Sequence, residues 1–277
     1  MNTTTISWRN QDDLDKVTKL LLKGILTDTL IKYFNKNRPE YFVSDDSSWL
    51  RKGILSVHGI HIENPFEYFA KKIKENIVYL RVYHGCKPID FESYFKEGFY
   101  PLQIDSFITS TAKRFQKFDI TETHIKEAIK KVSTETREGR LWFVIDDRTF
   151  FNGAGHYLIY GGEYLQAIAG NIQKTIAKPL QSHLEQTGVP TVFICEIPIS
   201  MIDEEDILNL SGAILENYFE KIFNERNKDQ RKDFGFSISA SLPAKYLVGH
   251  YHPEEIENPI YGRTMYYSSK TTCPYCQ

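Results

Sequence analysis

At 277 residues, with 41% hydrophobic, 25% charged and 14% aromatic side chains, the chain has an ordinary globular composition and ample material for a sizeable core. Its apolar stretches fall short of the roughly 18 to 20 residues that span a bilayer, and Met1-Asn2-Thr3-Thr4 lacks the basic start and apolar run of a signal peptide. A net charge of −2 excludes coating nucleic acid by bulk electrostatics but leaves room for a local basic groove, so the expectation is a cytoplasmic protein with no membrane partner.

The first sixty residues read as helical, with Leu14, Val17, Leu21 and Ile25 at helical spacing and Asp12 and Asp13 placed to cap the start. Asn64-Pro65-Phe66-Glu67 is a helix opening, and Phe66, Phe69, Ala70 and Ile73 form the apolar face that follows. At Ile77 the period drops to two or less, so residues 76 to 85 read as a buried strand. A short helix over 91 to 97 stops at Gly98. The run Ser106-Phe107-Ile108-Thr109-Ser110-Thr111 reads as extended, and 121 to 137 as an amphipathic helix with Ile125, Ile129 and Val132 inward.

Residues 141 to 145 form a strong strand candidate, followed by the glycine-rich loop Asn152-Gly153-Ala154-Gly155. Residues 191 to 197 read as a further strand and 207 to 223 as a long helix. The charged run 224 to 233 reads as a solvated loop, and strands return at 236 to 239 and 246 to 251. The pattern predicts one α+β domain over 1–277, with an N-terminal helical part at 1–75 and a flexible tail at 265–277.

Cys86 and Cys195 sit in apolar strand contexts that suit free thiols. Cys273 and Cys276 have the spacing of a redox or half-zinc motif, but a second pair of ligands is not apparent; a flexible tail is the plainer reading, and a metal held between subunits or with a partner is the alternative. No metal is expected.

Three segments carry candidate chemistry. The first, Arg81-Val82-Tyr83-His84-Gly85, ends a strand; Gly85 permits close approach of a ligand or backbone, and a polar His84 leaving an apolar strand needs a partner such as a ribose hydroxyl. The plainer account of His84 is a satisfied core histidine. The second, Phe107 to Thr111, offers the hydroxyls of Thr109, Ser110 and Thr111 to a neighbouring carboxylate; a β-prone edge strand explains it equally. The third is Tyr157-Leu158-Ile159-Tyr160-Gly161-Gly162-Glu163-Tyr164. Aromatic planes there suit a nicotinamide ring, and Glu163 suits the positive charge of a breaking glycosidic bond; a helix start favoured by the dipole is the alternative.

This ordered set resembles the ADP-ribosyltransferase superfamily over roughly residues 77 to 169. His84 matches the histidine of the histidine-tyrosine-glutamate class, whereas Thr109-Ser110-Thr111 looks more like the second motif of the arginine-serine-glutamate class, making the match a hybrid. The resemblance implies a split, mostly antiparallel sheet with helices, preceded by N-terminal helices, and NAD consumed as a substrate. It implies that Arg81, Tyr83, His84 and Gly85 bind NAD, that Thr109, Ser110 or Thr111 supports the site, that Tyr157 or Tyr160 stacks on nicotinamide, and that Glu163 is catalytic. The family's glutamate lies on a strand, whereas Glu163 precedes a helix-like run; Asp146-Asp147 is a fallback carboxylate pair. Gly161 stands where arginine-modifying members often carry a second glutamate, which speaks against an arginine acceptor.

The layout is also similar to toxins of bacterial phage-defence systems that ADP-ribosylate messenger RNA and are held by an antitoxin and a SecB-like chaperone. Lys113, Arg114, Lys117, Lys126, Lys130 and Lys131 fit single-stranded RNA, or simply a solvated basic face. Two other classes stand beside this reading. One is a metal-dependent hydrolase using His250 and His252 with His156, although no carboxylate completes the set. The other is a non-catalytic interaction module using exposed aromatics.

Overall fold

The computed structural model describes residues 5–134, 136–224, 231–260, 262, 264–269, 273 and 276. The fold is α+β, with eleven α-helices among the described residues and a mostly antiparallel sheet. The contacts divide the chain into two compact units, 1–81 with 197–234 and 82–196 with 235–277. The expected N-terminal helical part thus groups with a later helix as one unit.

The first unit is helical, with a short strand β1 (Thr5–Ser7) lying parallel to the first residues of β2 (Tyr79–Cys86). Its best-signalled helix, Pro65–Asn76, begins as the sequence predicts. Asn64 accepts bonds from the backbone N–H groups of Phe66 and Glu67, and Phe66, Phe69, Ala70 and Ile73 are buried. In the Gln11–Leu21 helix the cap is Asn10 rather than Asp12 or Asp13, which occupy the first turn and favour the helix dipole there. Phe34, Phe42, Trp49 and Phe219 form the heart of this unit, with ring centroids between 5.0 and 5.9 Å apart.

The second unit is built on strands β3 (Leu141–Val144), β4 (Thr191–Pro198), β5 (Gly235–Ile238) and β6 (Leu247–Tyr251), ordered β5-β3-β2-β4-β6. Tyr83 pairs with Val144, Leu141 with Ile238 and Phe193 with His250, each across an antiparallel neighbour. A separate hairpin joins β7 (Glu255–Asn258) to β8 (Thr264–Tyr267). Residues 265 to 267, read from sequence as the start of a flexible tail, are therefore strand. Phe115, Ile125, Tyr160, Ile168 and Leu184 are completely buried in the core of this unit.

Two sequence expectations change in ways that bear on the site. Residues 106 to 111 are not extended; they lie within the helix Ile104–Arg114. Its β-branched residues suggest a strand over six positions, but buried Ile108, Thr111 and Phe115 recur at helical spacing over a longer window. The helix expected over 121 to 137 runs only from Glu122 to Ile129, leaving Arg137 on a turn. Most of the charged run after the Glu204–Phe223 helix, 225 to 230, lies outside the described residues.

Gly85 is explained by packing rather than by an approaching ligand. A Cβ there would stand 2.6 Å from the Phe150 ring, which is itself buried. Gly85→Ala is expected to cost about 1–3 kcal/mol by overpacking, read as a lower urea midpoint; an unchanged midpoint would show that Phe150 can give way.

Candidate active site

In the second unit a cleft of about 970 Å³ takes residues from all three motif segments. That is near the upper end of the volumes usual for small-molecule sites. His84 and Gly85 come from the end of β2, and Ser110 and Thr111 from the Ile104–Arg114 helix. Tyr157 comes from the short helix His156–Tyr160, and Glu163 from the first turn of the helix Glu163–Ile176.

The His84 Nδ1 lies 2.8 Å from the backbone carbonyl of Trp142, so Nδ1–H donates and Nε2 is left as an acceptor. Burial pushes the imidazole pKa below its ordinary value, against the upward pull of that bond. His84 is therefore neutral at pH 7, with the rings of Phe99 and Phe143 4.9 and 5.8 Å away.

Glu163 owes its position to two consecutive glycines with positive φ, Gly161 at 85° and Gly162 at 120° with ψ 152°. The second conformation is one that essentially only glycine adopts, so the pair turns the chain sharply from one helix into the next. The side chain of Glu163 is 56% exposed, and its Oε2 accepts a 2.8 Å bond from Arg137 Nη2. Its carboxylate also sits at the positive end of the helix dipole. Burial raises the Tyr157 pKa, Glu163 adds to that rise and Arg137 opposes it. Burial lowers the His156 pKa, and Glu163 opposes that fall. Glu163, Arg137, His156 and Tyr157 thus form one electrostatic group.

Other expected site residues lie elsewhere. Arg81 belongs to the first unit, and Tyr83 is a core residue of the second. Thr109 Oγ1 donates to Glu122 Oε1 at 3.2 Å. Tyr160 is completely buried; its hydroxyl donates to Glu185 Oε1 at 2.7 Å and accepts from Asn258 Nδ2 at 2.9 Å, so its ring has no face free for stacking. Ser110 bonds back to the Phe107 carbonyl, and among the described residues it is Arg137 that holds Glu163. The fallback carboxylates are structural. Asp146 is fully buried and clamps Arg148 through both oxygens, while Asp147 accepts from the Tyr251 hydroxyl at 2.7 Å.

Tyr100, Arg137, Arg140 and Trp142 are among the cleft residues that the sequence does not single out. Arg137 hides in the over-long helix expectation. Trp142 is legible in hindsight, because Leu141 and Phe143 face inward and strand alternation turns Trp142 outward, where it is 47% exposed.

Behind the cleft, the Lys87 side chain is buried, and its Nζ donates to the carbonyls of Ile159 and Glu185 and to the Tyr266 hydroxyl at 3.0, 2.5 and 2.9 Å. Arg114, a cleft residue, donates to the carbonyls of Lys87 and Thr187 at 3.0 and 3.1 Å. These bonds tie the segment after β2 to the helix that precedes Glu163.

Comparison of the chain with protein-family models, with curated proteins and with solved structures finds no match. No helix among the described residues is long and apolar enough to cross a membrane.

Burial, reinforced by Arg114, lowers the Lys87 pKa from 10.5 to about 8, with Glu185 opposing. The unfolded chain therefore binds more protons than the folded one between those values, so this group makes stability rise with pH from about 8 towards 10. Lys87→Met should remove that rise and cost about 1–3 kcal/mol at pH 7, because the Ile159 carbonyl loses its buried donor while the Glu185 carbonyl keeps the Tyr266 hydroxyl. Urea denaturation at pH 7, 8, 9 and 10 tests both, and parallel stability–pH curves for the two proteins would contradict the assignment.

Proposed function

We propose that the protein transfers ADP-ribose from NAD to a macromolecular acceptor, with Glu163 as the catalytic residue. The observation that supports this reading best is convergence. His84, Thr111, Tyr157 and Glu163 are scattered over some eighty residues of sequence and face one cleft of dinucleotide size.

The chemistry is a substitution at the ribose carbon that carries nicotinamide. The C1′–N bond breaks, nicotinamide leaves with the bonding electrons as a neutral molecule, and the ribose passes through an oxocarbenium-like state. An acceptor oxygen or nitrogen then bonds to C1′ and sheds its proton to solvent. A carboxylate beside the ribose stabilises the developing positive charge. Glu163 meets that need, being exposed at the cleft and fixed by the double-glycine turn.

The remaining cleft residues take complementary parts in this reading. His84 Nε2 accepts a ribose hydroxyl, because Nδ1 is already committed to Trp142. Tyr157 stacks on nicotinamide, a role that the burial of Tyr160 leaves to it. Arg137 and Arg140 face the pyrophosphate, which a guanidinium binds with two parallel bonds. The half-exposed rings of Tyr100 and Trp142 offer surfaces for adenine or for an acceptor base.

An RNA acceptor, in a cytoplasmic toxin or phage-defence effector restrained by an antitoxin and a chaperone, is the extension that fits the resemblance. Exposed Lys113, Lys117, Lys130 and Lys131 support it. Lys126 supports it less, being paired with Glu122 at 3.4 Å, and Arg114 is spent on backbone carbonyls.

Nicotinamide release from NAD is the deciding measurement. Glu163→Gln is expected to keep the wild-type melting temperature and lower turnover by at least about 100-fold, the loss typical of removing an electrostatic stabiliser. Near-normal turnover would sink the assignment. Release that rises with added RNA identifies a nucleic-acid acceptor. Tyr157→Ala is expected to raise the calorimetric Kd for NAD about tenfold, and an unchanged Kd would assign stacking to another ring.

A further inference from the structure

A second chemical centre lies on the opposite flank of the same sheet order, at the end of β6. His250 is on β6 opposite Phe193, and His252 follows two residues later. Cys273 and Cys276, near the C-terminus, come back to the same place. The donor atoms of all four side chains lie within 4.8 Å of one another. From sequence each pair lacked a partner; the fold supplies each with the other.

The distances suit one ion. His250 Nε2 is 3.2 Å from Cys273 Sγ and 3.5 Å from Cys276 Sγ. Around a tetrahedral zinc, with bonds of about 2.0 Å to nitrogen and 2.3 Å to sulfur, neighbouring ligand atoms stand roughly 3.3–3.8 Å apart. The Cys276 backbone N–H donates to the Cys273 carbonyl at 3.4 Å, which holds the two cysteines close together.

The surroundings prepare His252 as a ligand. His252 Nδ1 lies 3.0 Å from the Pro190 carbonyl, which can only accept, and 3.2 Å from Thr191 Oγ1. The proton therefore sits on Nδ1. Nε2 keeps its lone pair, yet it is buried with no hydrogen-bond partner among the described residues. A ring oriented by a backbone carbonyl, with its other nitrogen bare and pointed at thiols, is the usual outer-shell arrangement of a metal-binding histidine. Phe91 and Phe95 pack against the pair, with ring centroids 4.9 Å from His252 and His250 respectively, and limit access of water.

We propose that His250, His252, Cys273 and Cys276 form a closed four-ligand site for a structural zinc ion. Two imidazoles and two thiolates are a donor set that selects zinc over calcium, magnesium or manganese. Each thiol gives up its proton to solvent on binding, and no redox change is involved. With every position taken by protein the ion has no place for a water nucleophile, so the site clamps the C-terminal residues to β6 rather than catalysing hydrolysis. His156, the third histidine that a hydrolase reading would recruit, instead stands beside Tyr157.

The test uses the full chain, purified with a thiol reductant and without chelator. Elemental analysis is expected to find about one zinc per chain in the wild type and almost none in a Cys273→Ser, Cys276→Ser double variant. Should that variant fold poorly, cobalt(II) added to the metal-free wild type carries the test. The intense visible bands of tetrahedral cobalt together with near-ultraviolet thiolate-to-cobalt absorption support the site. Wild-type protein with neither zinc nor these bands overturns it. So does a folded double variant that retains the metal, or a Cys273–Cys276 disulfide that persists in the reductant. These readouts are independent of nicotinamide release, so the zinc site and the transferase reading stand or fall separately.

Discussion

The cleft depends on one buried ammonium group. Lys87 follows β2 directly, and its Nζ is shared among two backbone carbonyls and a tyrosine hydroxyl from three other stretches of chain. A charge removed from water must be repaid by good hydrogen bonds or it destabilises the fold. Here the bonds tie the strand end carrying His84 to the helix that leads into Gly161, Gly162 and Glu163. Arg114 adds a second cation to the same corner by bonding the Lys87 and Thr187 carbonyls. The backbone on both sides of the cleft is thus held by side chains that need not touch a substrate.

Within that frame the character of Glu163 comes from competition between local effects. The Arg137 ion pair and the helix N-terminus hold the Glu163 side chain in place, and more than half of it stays open to solvent. A glutamate at a helix start has a purely structural explanation, since such residues commonly stabilise the dipole. What lifts Glu163 above that explanation is its setting, a glycine turn in a conformation closed to other residues and a cleft lined by neutral His84 and by Tyr157. A turn that only glycine can make and several polar groups facing one space are features that helix stability alone does not require.

Much of the secondary structure is legible because it follows local rules. The Asn64 cap with its proline, the apolar strand after Ile77 and the run at Leu141 all appear close to where the sequence sets them. The errors have equally local causes. Phe107 to Thr111 looks like a strand because β-branched residues dominate a short window, and burial on one helical face overrides that preference. The helix after Thr121 ends early, at Ile129, and its lost last turns free Arg137 to reach Glu163. Tyr160 and Tyr157 cannot be told apart by residue type. Three residues apart on one short helix, one is sealed beneath Glu185 and Asn258 while the other faces the cleft.

By itself the sequence determined the class of fold, most of the elements, and a short set of candidate residues. It could do so because helix caps, glycine turns and apolar periodicity act over a few residues. Only the tertiary structure decided which of those residues share a cleft, which are core, and that His250 and His252 meet Cys273 and Cys276 across more than twenty residues of chain. Such meetings depend on strand order and on a hairpin, β7–β8, that carries the chain back on itself. They follow from how the elements pack together, which no spacing along the chain records.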